Sequence, residues 1–202
     1  MKKINIYLIR HAETNNKKMI YGHTDFHISE EGKKDTEKLA LNPIWKEIEE
    51  VYITPLVRSQ ETADILFDKN IPRYVVPKLA EINFGDFEKT EIDEKVLNHE
   101  IYKKWLTEPE TLTLPNGDNI LKHAIEAKEA LYKIIENTNC KNIAIVSHGF
   151  TLKLLLSLLC NLDLKMFHKI EINFLGVSKI SSKNGVIKVE YINSDLSNIN
   201  SQ

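Results

Sequence analysis

The chain has 202 residues, 42% hydrophobic and 28% charged, with a formal net charge of -2. That is length enough for one domain with a substantial core and short for two, and the balance is that of an ordinary globular protein. It excludes a global basic field for nucleic acid and any apolar run of membrane-spanning length, and the two cysteines, Cys140 and Cys160, have neither zinc nor disulfide-framework spacing. The expectation is one domain over residues 1–202, reduced and cytoplasmic, with both thiols buried beside apolar segments. Met1-Lys2-Lys3 leads straight into a strand pattern rather than a leader.

In chain order, Ile4 to Ile9 is an apolar run that reads as a buried strand, and it ends in Arg10-His11. A polar loop follows from Asn15 to Ile28, with Gly22-His23-Thr24-Asp25 inside it; a loop of that length is more often functional than idle. Ser29 is an N-cap with Glu30 and Glu31 in the first turn, and its helix runs to about Ala40 before Asn42-Pro43 stops it. Val51 to Thr54 is a second strand. Pro55 opens a helix carrying Leu56, Ala63 and Leu66 on one face and Arg58 in its first turn. Arg73 to Pro77 is a third strand, and Leu79 to Glu88 is irregular, acidic and aromatic. Residues 91–106 suit one amphipathic helix, with Trp105 read as packing and, as the alternative, lining a ligand. Leu114 to Asp118 is a turn, with Asp118 as N-cap of a long helix to about Glu136. Asn142 to Ser147 is the clearest buried strand; His148-Gly149 ends it, and an apolar helix runs from Phe150 to about Leu159. Two β-rich stretches, about Glu171 to Ser178 and Val186 to Ile192, close the domain, and the tail from Asp195 is polar and frayed. Strands alternating with helices predict an α/β fold with a mostly parallel sheet and an antiparallel strand at one edge.

In a parallel sheet the strand ends share one rim, where open α/β folds place ligands. Here they bring together Arg10, His11, Arg58 and His148, with the helix N-terminus at Gly149, which makes an anion pocket. Glu13 and Glu81 lie on loops that could reach it. Each residue has a bland reading on its own: a solvated strand-end pair, a surface cation, a loop acid, a satisfied histidine. No carboxylate cluster or His-x-x-x-His pair suggests a metal.

These residues resemble the histidine phosphatase, or phosphoglycerate mutase-like, superfamily. Arg10-His11-Ala12-Glu13-Thr14 is similar to its opening Arg-His-Gly-Glu signature, with Ala for Gly. Thr54-Pro55-Leu56-Val57-Arg58-Ser59, Leu79-Ala80-Glu81 and Ser147-His148-Gly149 match the next three in family order. The resemblance implies a three-layer sandwich with helices on both faces of the sheet. It implies a metal-independent phosphomonoesterase without cofactor, acting on a small-molecule phosphate ester. His11 would be the nucleophile, Arg10, Arg58 and His148 the holders of the phosphoryl oxygens, and Glu81 the acid and then the base. His11 must be neutral to attack, and flanking cations favour that form. Asn16, Gly22, His23 and Gly149 would complete the substrate site. Two positions depart from the family pattern: Lys17 stands where a loop Asn is usual, and Gly117-Asp118-Asn119 where Gly-Glu-Ser is common.

The runner-up is a cofactor-dependent phosphoglycerate mutase; a narrower reading is an α-ribazole phosphatase; the third is a non-catalytic phospho-ligand binder, which would not need Glu81. Against the mutase, residues 88–95 are net acidic, and the only arginines are Arg10, Arg58 and Arg73, so no further bidentate fork is free for a carboxylate.

Overall fold

A computed structural model describes residues 3–16 and 18–196; the readings made at Met1-Lys2, at Lys17 and over most of the tail lie outside them. The elements are β1 (Lys3–Arg10), β2 (Met19–Ile20), α1 (Glu30–Ala40), β3 (Glu50–Ile53), α2 (Val57–Leu66), β4 (Arg73–Val75), β5 (Thr90–Glu91), α3 (Glu94–Asn98), α4 (Glu100–Thr107), α5 (Ile120–Asn137), β6 (Asn142–Ser147), α6 (Gly149–Leu159), β7 (Val177–Lys183) and β8 (Val186–Ser194). Six strands form one sheet in the order β4-β3-β6-β1-β7-β8. β4, β3, β6 and β1 are mutually parallel. β7 runs against β1, and β8 folds back on β7 through Asn184-Gly185, both at positive φ, as a tight two-residue hairpin requires. The expected antiparallel edge is therefore this hairpin.

The pleat of β1 explains the layers. Ile4, Ile6 and Leu8 point to one face and pack with Ala127, Leu131 and Ile134 of α5 and with Leu152, Leu155 and Leu156 of α6. Tyr7 and Ile9 point to the other, where Ala63 and Leu66 of α2, Trp45 and the last turn of α1 cover them. Helices thus lie on both faces, and the parallel ends of β1, β3 and β6 finish side by side with Arg10 opposite Ser147. A third apolar cluster, centred on Phe84, Trp105 and Phe150, sits outside the sheet against the first turns of α5 and α6.

Four expectations need correction. The segment 91–106 is two short helices, because Asp93 caps α3 and the ring of His99 accepts from the Ile101 amide to start α4 afresh. The last β-rich region begins at Val177, not Glu171: Leu175 at φ 58° turns the chain, and the run before it crosses the strand ends instead of joining the sheet. Asn119 rather than Asp118 caps α5, while Asp118 accepts from the Asn83 amide at 2.8 Å. Neither cysteine is buried: Cys140 is half-buried and Cys160, just past the end of α6, is exposed.

Candidate active site

β1 delivers Arg10 and His11 to the rim, and the very next elements in space deliver the rest. The Arg10 guanidinium lies over the Phe174 ring, its Cζ 3.8 Å from the centroid, and donates to the Ile172 carbonyl at 2.7 Å. Gly149 permits this: a Cβ there would stand 2.9 Å from Arg10 Nε and 3.1 Å from Cζ. Arg58, in the first turn of α2, is wholly enclosed; its Nη2 donates to the Gly22 carbonyl at 2.6 Å and its Nη1 to the Thr24 carbonyl at 3.1 Å. A buried cation is costly unless it is satisfied, and carbonyls with Asp25 Oδ1 at 3.8 Å are what it has.

His11 is buried, with Nδ1 2.7 Å from its neighbour's carbonyl, that of Ala12. A carbonyl only accepts, so Nδ1 carries the proton and Nε2 is left with its lone pair. Burial first, then the Arg58 and Arg10 guanidiniums, hold His11 well below the usual histidine range, so it is neutral. His148, at the end of β6, lies with its ring 5.2 Å from that of His11. Its Nε2 meets Thr54 Oγ1 at 2.8 Å, and burial, Arg58, His11 and Arg10 push it well below the usual range as well. Arg10 Nε, Arg58 Nε and His148 Nδ1 are all buried without a hydrogen-bond partner in the protein. Native structures rarely leave such groups unpaired.

Glu81 sits 6% exposed at the amino end of α6. Its carboxylate accepts from the Phe150 amide (3.0 Å), the Thr151 amide (2.9 Å) and the Thr151 hydroxyl (2.9 Å). His123 of α5 reaches the same hydroxyl at 2.9 Å and is lowered by burial against the pull of Glu81, Asp118 and Glu126.

Arg10, His11, Glu81 and Gly149 line a cleft of about 240 Å³, with Arg58 and His148 enclosed beneath it. The remaining walls include Met19, Ile20, Tyr21, Phe84, Ile92, Trp105, Phe150, Lys153 and Phe174. The expected loop residues do not join them. The Gly22 and His23 amides are committed to the Glu88 carboxylate, at 2.9 and 3.0 Å, which also takes Thr24 and Phe84. Burial would raise Glu88, but these hydrogen bonds outweigh it and leave it below the usual carboxylate range. Asn16 stands off the cleft with its carbonyl accepting from Met19, and Glu13 lines a different groove. Trp105 both packs and lines. Phe174 and Lys153 went unread in the sequence; the only signal was position, Lys153 one helical turn beyond Gly149 and Phe174 in an apolar run opposite Arg10. Among the described residues no group of three or more His, Cys, Asp or Glu could hold a metal ion, and no helix is long and apolar enough to cross a membrane.

Residues 6–195 match the profile of the histidine phosphatase superfamily, branch 1. The chain belongs to that family. It is 26% identical over 158 residues to an adenosylcobalamin/alpha-ribazole phosphatase of Salmonella typhimurium, covering 75% of this chain and 77% of that one. It is 26% identical over 181 residues to a protein of Erwinia tasmaniensis named a probable phosphoglycerate mutase, covering 88% and 84%. In structure it superposes on an Entamoeba histolytica phosphoserine phosphatase, crystallised as a mutant with phosphoserine, with a TM-score of 0.85, 25% identity and 97% and 98% of the two chains covered. Family and relatives together support a phosphoric monoester hydrolase.

Proposed function

We propose that the protein is a metal-independent phosphomonoesterase that hydrolyses a small phosphorylated metabolite through a phosphohistidine on His11. The observation that carries this reading is a neutral, buried imidazole flanked by two unpaired guanidinium donors, on Arg10 and Arg58, and by His148 with an unpaired Nδ1. Those donors suit the oxygens of a phosphoryl group, whose charge spreads over them in the transition state. His11 Nε2 attacks phosphorus and the ester oxygen leaves, taking a proton from Glu81. Water then gives its proton to the Glu81 carboxylate and attacks the phosphohistidine, which releases phosphate and frees Nε2. The relatives are named for three different activities, and the cleft residues alone favour hydrolysis of a short ester without naming it.

The test is a rapid quench with labelled substrate. A phosphoenzyme that is acid-labile and alkali-stable is expected, and His11→Ala should lose it together with at least about 10³ of turnover. A His11→Ala protein with wild-type turnover overturns the assignment. Supplying 3-phosphoglycerate with a bisphosphoglycerate primer separates the mutase: isomer formation outpacing phosphate release would favour it. α-Ribazole phosphate belongs in the same panel.

A further inference from the structure

The cradle around His11 accounts for the phosphoryl group but not for two donors further out in the same cleft. Lys153 lines the cleft, and its ammonium forms no ion pair among the described residues. Trp105 is 8% exposed, also lines the cleft, and its indole Nε1–H is buried without an acceptor. Otherwise this outer wall is apolar and aromatic, from Met19, Ile20, Phe84, Ile92 and Phe150. A cation and an orphaned N–H in an apolar wall are expensive unless something arrives to pair with them.

We propose that Lys153 and the Trp105 indole N–H form a second anion-reading subsite, which selects phosphate monoesters whose leaving group carries a carboxylate. This rests on the phosphatase reading above. Lys153 lies four residues beyond Gly149, one turn along the same face of α6, and so borders the same cleft. The cleft, at about 240 Å³, falls below the usual range for larger ligands and suits a short one. A planar carboxylate offers several lone pairs, so one can accept from the indole N–H and from the ammonium together. Burial, then Arg10, lowers Lys153 from the usual lysine range, and an arriving carboxylate favours its charged form. The absence of a further arginine, which weighed against a carboxylate reader near Glu88, is met here by a lysine on α6.

The experiment compares 3-phosphoglycerate with glycerol 3-phosphate, which replaces the carboxylate by a hydroxymethyl group, and uses 4-nitrophenyl phosphate to report basal hydrolysis. Wild type, Lys153→Met, Lys153→Arg and Trp105→Phe are assayed, with melting curves to certify folding. Wild type should prefer the carboxylate ester by at least about tenfold in kcat/KM. Lys153→Met should collapse that ratio towards one through KM, Lys153→Arg should keep most of it, and Trp105→Phe should fall between. A wild type that cleaves nitrophenyl phosphate but shows no preference overturns the subsite alone. So does a Lys153→Met ratio equal to wild type, which would place the lysine on the phosphoryl group or nowhere. A wild type that cleaves none of the three overturns the phosphatase reading and the subsite with it.

Discussion

The cradle around His11 and the outer mouth of the same cleft are built by opposite means. The cradle hangs on the ends of β1 and β6, paired over six consecutive positions, and on the first turns of α2 and α6 that follow β3 and β6 without slack. Its side chains are buried and crowded: Arg58 and His148 are wholly enclosed and His11 is 2% exposed. The mouth is made of the two-residue strands β2 and β5, the five-residue α3 and the eight-residue α4, held by an apolar cluster that lies off the sheet. On the proposed reading, sheet-anchored placement goes to the groups that handle a fixed chemical entity, and short elements off the sheet go to the groups that meet the variable part of a substrate.

Glu81 joins the two regions, and its loss is the largest of the effects expected beyond His11 itself. Glu81→Gln should cost about 10²–10⁴ in turnover of alkyl phosphates, whose oxygen leaves poorly without a proton, and much less with 4-nitrophenyl phosphate. Equal losses on both would make Glu81 an anchor for the start of α6, a role its three hydrogen bonds to Phe150 and Thr151 also permit. The Thr151 hydroxyl and His123 behind it belong to that anchor.

Gly149→Ala tests how tightly the cradle is packed. The added Cβ meets Arg10 Nε at 2.9 Å, so the guanidinium must slide on the Phe174 ring or lift away from the Ile172 carbonyl. Small misplacements of a positioned group cost up to about 10²-fold in rate. A loss of that order, with an unchanged melting temperature, is expected; wild-type kinetics would mean that Arg10 has room to move.

The same contrast explains what was legible in the sequence. Arg10, His11, Arg58, Glu81 and His148 could be named because a parallel sheet gathers its strand ends on one rim and each residue sits beside a strong strand or helix pattern. The mouth could not. Two-residue strands have no period to detect, and the alternating charges of 91–106 hid the caps at Asp93 and His99. Phe174 lay in a run whose apolar content imitates a strand, whereas the true strand, β7, is rich in serines that the fold buries at Ser178, Ser181 and Ser182. The Gly22-His23 amides looked available for phosphate only because their acceptor, Glu88, lies 65 or more residues away in sequence.

The cradle's neutral histidines also tie stability to pH. His11 and His148 are held well below 6.5 in the folded protein, by burial first, while in the unfolded chain they titrate near 6.5. Below that pH the unfolded state binds more protons, so stability is fully present above about 6.5 and is lost as pH falls, by about 1.4 kcal/mol per pH unit for each histidine. The melting temperature should therefore drop between pH 7 and 5.5, and His148→Gln should flatten that slope. A wild-type melting temperature that is level over this range would mean that the histidines accept protons in place.

The smallest effect separates the two regions most directly. Val96 is the one buried residue of α3, and it packs in the mouth's own cluster rather than on the sheet. Ile145 lies in the middle of β6 at 1% exposure. Ile145→Val should cost about 0.5–1.5 kcal/mol of global stability, because the sheet opens only when everything does. Val96→Ala removes more carbon, yet its cost should fall on a local opening. The amides of Lys89 and Ile92, which bond to the Ile20 and Lys18 carbonyls on the far side of the β2–β5 pair, report that opening. In hydrogen exchange they should lose protection in Val96→Ala while the amides of β1 and β6 keep theirs, and KM should rise a few-fold with kcat nearly unchanged. If instead the mouth amides exchange only as fast as the sheet in both variants, the mouth is as cooperative as the cradle, and its adaptability must come from side chains alone.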